Sequence, residues 1–255
     1  MYREVARPSS GCDATTHLQH FSIVTYCVDP VKIRRIIHPR FKPYTIEVHG
    51  HTCALLSVVP FKDVNFTSVA CQWPKMSFGQ TNYRIYIIDQ LTNERAVWFL
   101  GTVLHSWWVV IPRIMWKMPW HFGRITFDCD FRENKYMSYH MRTESSWAGA
   151  ELKLEESAEE EATFTGFADL ETALVVLTHP FMGYYHRSDS QLGTYQVWHE
   201  RLQVKPARCL RARFELLDRL GLVPYEEQNF PHSVWLQNMN KFIINLPPQV
   251  IKTRK

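Results

Sequence analysis

Three residues able to grip an anion stand at alternate positions in the run Asn82-Tyr83-Arg84-Ile85-Tyr86. In an extended chain, side chains two apart share a face. Asn82, Arg84 and Tyr86 would therefore project together, offering an amide, a guanidinium and a phenol as hydrogen-bond donors to a carboxylate or carbonyl oxygen. If that face is interior, Arg84 is costly there unless it meets a carboxylate or an anionic ligand. Two readings stay open: a carboxylate clamp with Asn82 orienting the ligand, or a polar network that ties strands together. A second group, Lys117-Met118-Pro119-Trp120-His121, follows an apolar stretch. Lys117 could supply an amine, and His121 has the intrinsic pKa of a general base. Neither has an identified orienting partner, so the plainer reading sends Lys117 to solvent and packs His121 at a strand start.

Other chemistry is weakly represented. His49-x-His51 has the spacing of two metal ligands on one strand face, but no third ligand can be chosen, so no metal site and no cofactor is expected. No Gly-x-Gly-x-x-Gly, Gly-x-x-x-x-Gly-Lys or Gly-x-Ser-x-Gly motif occurs. The net charge of +4 is spread along the chain, and Arg208, Arg211 and Arg213 have acidic neighbours, which excludes a basic nucleic-acid stripe. Cys12, Cys27, Cys53, Cys71, Cys129 and Cys209 lie far apart without a Cys-x-x-Cys. With no secretory signal at the start, they read as buried thiols of a cytoplasmic protein. Residues 96–112 are uncharged and apolar but short for a bilayer. They read as a buried strand and a buried helix with a turn at Gly101-Thr102, and no membrane role is expected. Trp107, Trp108 and Trp116 read as core or pocket wall.

The elements that must position these groups are mostly strands. Residues 1–16 have linker composition and predict a flexible arm, leaving 17–250 as one domain with no internal repeat. Residues 20–28 are β-branched and aromatic, hence a strand. Asp29-Pro30 then caps and starts a helix that His38-Pro39 ends. Residues 45–61 predict a long strand or a hairpin about Gly50. Residues 83–89 and 96–100 form a hairpin, and 124–131 pairs with 135–142, with Ile125, Phe127, Cys129 and Phe131 on one face. The six glutamates of 151–161 predict a solvated strand end and loop. Asp169 caps a helix through Thr178, residues 183–186 and 194–204 pair as strands, and Leu210, Phe214, Leu217 and Leu220 have helical spacing over 206–220. The aromatic share of 14% favours strands around an interior wide enough for large rings. The fold class is α+β, β-dominated.

This succession resembles the YqjF-like family of unknown function, related to acetoacetate decarboxylase. The matching runs are residues 21–30 with the Asp29-Pro30 helix start; Ala54-Leu-Leu-Ser-Val-Val-Pro-Phe61, similar to the family's vSLVPF strand; Asn82-x-Arg84-x-Tyr86; Val97-Trp-Phe-Leu100; Lys117-Met-Pro-Trp120, where the family carries Gly-Leu-Pro-Tyr; and Leu177-Thr-His179 with Trp198-His199. The resemblance spans roughly residues 18–248 and implies a cone-shaped, mostly antiparallel β-barrel with short flanking helices and an internal pocket. Acetoacetate decarboxylases place a Lys-Lys pair after the proline that Pro119 matches; here Trp120-His121 stands there. Gln19 replaces an expected arginine, and the glutamate of the Asn82 strand is absent. Without that amine no Schiff base can form, so acetoacetate decarboxylation is not expected. What is expected is a small carboxylate- or carbonyl-bearing molecule held by Asn82, Arg84 and Tyr86, with Trp120 and His121 closing the mouth. The alternatives are an enzyme using Lys117 or His121, and a non-catalytic interaction scaffold. A homo-oligomer fits the resemblance, since related decarboxylases are multimeric.

Overall fold

In the computed structural model, which describes residues 10–157 and 164–251, every residue from 53 to 61 of strand β4 (His51–Ser68) is buried. A strand that alternated between core and water would bury every second residue; one packed on both faces reads as an unbroken apolar run. The pairing explains it. β1 (Ala14–Val28) lies antiparallel between β4 and β14 (Ser233–Ile251). β4 continues to β5 (Met76–Asp89) and β6 (Arg95–Leu104), both antiparallel. β11 (Met182–His186) joins β6 in parallel, and β12 (Leu192–His199) links β11 back to β14. These seven strands close on themselves as a barrel.

Short strands extend the wall. β2 (Phe41–Pro43) pairs with β5, β3 (Thr45–Val48) with β4, and β7 (Trp120–Phe122) runs parallel beside β6. A second sheet of β8 (Arg124–Arg132), β9 (Lys135–Glu144), β10 (Ala150–Glu156) and β13 (Lys205–Phe214) covers one outer face. It joins the barrel where Lys205 and Pro206 pair with Leu236 and Trp235. One apolar cluster lies between the two layers, with Val58, Tyr83, Ile85, Tyr139, Met141, Leu152 and Phe214 fully or almost fully buried. The other fills part of the barrel and includes Phe21, Ile23, Leu55, Val59, Leu177 and Trp235. Each such Leu, Ile or Phe contributes roughly 1.5–3 kcal/mol by leaving water.

Local chemistry sets the helices. In α1 (Pro30–Arg34), the Asp29 side chain accepts from the Val31 amide and Pro30 opens the first turn, as predicted. In α3 (Leu170–Thr178), Asp169 accepts from the Thr172 amide at 2.6 Å. α3 buries Val176 and Leu177 in the inner cluster, closing one end of the barrel. The hairpin about Gly50 forms, with His49 and Gly50 both at positive φ. His49 sits in that turn and both histidines are exposed, so the pair does not share a strand face. Among the described residues, no group of three or more His, Cys, Asp or Glu could hold a metal ion.

Several expectations need correction. Residues 1–9 of the predicted arm lie outside the described residues, but β1 begins at Ala14, and Asp13 is buried with its carboxylate on Asn245 and the Leu246 amide. Residues 206–214 are strand, and only α4 (Glu215–Arg219) is helical. Cross-strand pairs override the helical spacing: Arg208 meets Glu155 at 2.6 Å and Arg211 meets Glu151 at 2.7 Å. The glutamate-rich run is thus partly a paired strand; residues 158–163 lie outside the described residues. Strand β12 stops at His199 rather than Val204. Gly101 lies inside β6, where a Cβ would stand 2.5 Å from the Trp147 ring, so it permits close packing and not a turn. Cys27 and Cys53, on adjacent strands, form a disulfide with Cα atoms 5.3 Å apart. Cys12 and Cys71 are exposed, so the six do not form a set of buried thiols.

The segment after β6 also departs from expectation. A 3₁₀ turn (Trp107–Val109) and α2 (Val110–Met115) cross the barrel rim rather than sinking into the core. Because β7 runs parallel to β6, the connection must travel back outside the sheet. Trp107 is 77% and Met115 66% exposed. Among the described residues no helix is long and apolar enough to cross a membrane.

Candidate functional site

The barrel interior retains a cavity of about 260 Å³. Its wall is mainly apolar: Phe61, Phe78, Val97, Phe99, Phe242 and Ile244 contribute from the strands. Trp108, Ile111, Pro112 and Trp116 of the rim segment, with Met118 and Trp120, contribute at its side. A space of this size suits a small organic molecule.

Alternation on β5 aims Phe78, Gln80, Asn82 and Arg84 into this cavity, while Thr81, Tyr83 and Ile85 turn outward and are fully buried. Asn82 Oδ1 accepts from Gln80 Nε2 and from Thr102 Oγ1, both at 2.8 Å. Its amide nitrogen is thereby left to face the cavity as a donor. Arg84 donates through Nη2 to the Leu177 carbonyl at 2.8 Å and to the Tyr86 hydroxyl at 3.3 Å. Its Nε is buried without a hydrogen-bond partner. Among the described residues no carboxylate forms an ion pair with Arg84.

The closed end explains how a cation is tolerated there. The terminal carbonyls of α3 carry the negative end of the helix dipole, equivalent to about half a charge. Leu177 O accepts from Arg84 and from Tyr86 at 3.0 Å. Tyr86 is held in turn by Ser57 at 3.0 Å, and Ser57 by Thr25 at 2.8 Å. Tyr86 therefore does not line the cavity; it braces Arg84 from beneath. Thr178 O lies 2.9 Å from His199 Nε2, and Glu200 O lies 2.7 Å from His199 Nδ1. Burial pushes the His199 imidazole down to about 4. A neutral ring donates to only one of those two carbonyls. Tyr195, packed on Phe99 at 5.4 Å, also lines this end, and burial raises its phenol well above the ordinary range.

Of the residues chosen from the sequence, Asn82, Arg84 and Trp120 meet in the cavity, while Lys117 and His121 do not line it. The His121 ring stacks flat on Trp147, centroids 4.1 Å apart, and burial with the nearby Arg113 charge lowers its pKa to about 4. Lys117 is half-buried at positive φ, and its carbonyl accepts from the Ser188 amide. No lysine is among the cavity-lining residues. Sequence reasoning passed over Asp63, which lines the far end of the cavity, and the carbonyls of α3. Asp63 carried a legible signal: Val59, Phe61 and Asp63 share one strand face at period two, which sets an acid on an apolar stripe.

A sequence model of the DUF2071 family, described as an uncharacterized conserved protein, matches residues 15–238, and the chain belongs to that family. No curated protein matches the sequence. Among solved structures, an acetoacetate decarboxylase-like enzyme from Sphingomonas wittichii RW1 superposes with a TM-score of 0.62 at 10% identity, covering 96% of this chain and 95% of that one. The enduracididine biosynthesis enzyme MppR, complexed with the condensation product of pyruvate and imidazole 4-carboxaldehyde, gives 0.60 at 12% identity, covering 93% and 88%. The acetoacetate decarboxylase of Legionella pneumophila gives 0.55 at 11% identity, covering 97% and 92%. These likenesses establish the acetoacetate decarboxylase-like fold.

Proposed function

We propose that this member of the DUF2071 family binds a small, largely apolar molecule bearing a carboxylate inside its barrel, and does not decarboxylate acetoacetate. The observation that carries this reading is Arg84: a cation on the inner wall, with no carboxylate partner among the described residues and an unsatisfied Nε. The C-terminal end of α3, through the Leu177 carbonyl, stabilises this charge without pairing it with an anion. A ligand carboxylate supplies the anion and accepts from Asn82 as well. The aromatic and aliphatic walls select an apolar body behind that carboxylate. The MppR complex with a pyruvate-derived product agrees with a carboxylate ligand on this fold.

Schiff-base chemistry needs a cavity amine. Trp120 occupies the place where the resemblance calls for the first lysine, and it lines the cavity. Lys117 and His121 have no assigned catalytic role in this reading.

The test compares octanoate with octanamide by calorimetric titration of the wild type and of Arg84→Gln. Octanoate is expected to bind the wild type at least about tenfold more tightly than the amide, a charged hydrogen bond being worth roughly 1.5–3 kcal/mol. Arg84→Gln erases that preference. Equal binding of acid and amide by the wild type overturns the proposal.

A further inference from the structure

The end of the cavity away from Arg84 holds a second polar group, one of whose oxygens has no hydrogen-bond partner. Asp63 is 2% exposed and lies on the inner face of β4. Its Oδ1 accepts from Thr16 Oγ1 at 3.0 Å. Its Oδ2 is buried with no hydrogen-bond partner. Around it the cavity is lined by Phe66, Met76, Phe78 and Leu246, and no cation pairs with it among the described residues. Buried polar atoms are nearly always satisfied, so an orphan oxygen at a cavity wall marks the place of an absent partner. An apolar setting without a cation favours the neutral acid, which is a donor through its O–H. Desolvation does push this carboxyl up to about 7, opposed by the Thr16 hydrogen bond.

The pairing register fixes how far apart the two polar ends stand. Asp63 faces Phe78 and Ser57 faces Arg84 across the β4–β5 ladder, six positions apart on each strand. At about 3.3 Å per residue, the backbone positions are separated by at most roughly 20 Å, and the Arg84 and Asp63 side chains shorten that gap. Between them on the same two strands run Val59 and Phe61 of β4 and Gln80 and Asn82 of β5. A compact keto acid anchored at Arg84 would leave the Asp63 end empty.

We propose that Asp63, as a neutral carboxylic acid, donates a hydrogen bond to an oxygen at the end of the ligand remote from its carboxylate. The cavity then takes an elongated oxo- or hydroxy-acid in preference to the unsubstituted acid. The inference rests on the carboxylate being held at Arg84, and it adds the second anchor and the substrate class.

The experiment titrates hexanoate, octanoate and decanoate, and the corresponding acids with an oxo group on the penultimate carbon, into the wild type, Asp63→Asn, Asp63→Leu and Arg84→Gln. In the wild type, the oxo acid of best-fitting length binds about 3- to 10-fold more tightly than its plain counterpart, the range of one neutral hydrogen bond. Asp63→Asn keeps the preference, because its amide still donates, and Asp63→Leu loses it. The wild-type comparison needs no variant, so a misfolded Asp63→Leu does not shelter the idea. Equal binding of oxo and plain acids at every length, with both weakened by Arg84→Gln, overturns the Asp63 anchor and leaves the Arg84 site standing. Acid binding that is absent, or indifferent to Arg84→Gln, overturns both.

Discussion

Replacing Asp63 by asparagine should make the protein more stable at neutral pH, and by an amount that depends on pH in a defined direction. The wild-type carboxyl is buried, and desolvation raises it from an ordinary value of 3.8 to about 7. The folded state therefore holds the proton more tightly than the unfolded chain does. Stability from this group is full below about pH 4, declines as the pH climbs from about 4 to about 7, and is flat above that. A shift of three units corresponds to about 4 kcal/mol, as an order of magnitude, lost between those limits. The asparagine side chain cannot ionise, and its oxygen can keep the Thr16 bond that Oδ1 accepts. Urea unfolding of both proteins at closely spaced pH values from about 4 to about 8 gives the stability difference directly and cancels groups common to both. The variant should gain on the wild type by a few kcal/mol between about pH 4 and 7, with the linear slope against urea unchanged. A difference that stays level across that interval would show that Asp63 ionises like a hydrated carboxyl, and the second anchor would lose its physical basis.

Borohydride reduction in the presence of acetoacetate should add no mass to the protein, since the cavity wall has no lysine; a stable adduct on Lys117 would refute the non-decarboxylase reading. Tyr86→Phe should cost about 1–3 kcal/mol, because Ser57 and the Leu177 carbonyl each lose a buried partner, and should weaken octanoate binding while leaving octanamide unaffected. Arg84→Met should unfold at a higher temperature than the ligand-free wild type, yet gain nothing from added octanoate; a variant less stable than wild type would mean that the α3 carbonyls already satisfy the cation. Gly101→Ala should cost roughly 1–3 kcal/mol in chemical unfolding, since its Cβ would meet the Trp147 ring at 2.5 Å and the Pro119 carbonyl at 3.0 Å.

The residues that a local rule governs are legible in the chain. Asp29 and Asp169 cap helices because a side-chain oxygen beside free amides needs nothing distant. The inward turn of Asn82 and Arg84 follows from period two on one strand. What escapes a sequence reading depends on partners remote in the chain. Leu210, Phe214 and Leu217 have helical spacing, but the arginines of β13 find glutamates on β10 more than fifty positions earlier. The apolar run after β6 reads as buried until β7 is seen to lie parallel to β6, which forces the connection over the rim. Tyr86 reads as a ligand contact because period two gives its face but not its depth; the hydroxyl is already occupied by Ser57 and Leu177.

Depth along the barrel is what separates the saturated polar groups of β5 from the unsatisfied one. On β5, four polar residues, Gln80, Asn82, Arg84 and Tyr86, share one inner face, yet the innermost, Tyr86, meets the end of α3 and is saturated with hydrogen bonds. One step out, Arg84 is only half satisfied by the same helix carbonyls, and one step further, Asn82 is fixed through its oxygen by Gln80 and Thr102. The helix thus orients the guanidinium without neutralising it, the condition under which an arginine holds a carboxylate instead of serving only the fold. A barrel packed solid would have filled that residual demand with a protein carboxylate. The nearest inward-facing acid on the neighbouring strand, Asp63, stands six register positions away, where one of its oxygens, like Arg84 Nε, has no partner. On the proposed reading, these two groups of opposite chemistry, each with one unsatisfied polar atom, are the two anchors of a molecule with two polar ends.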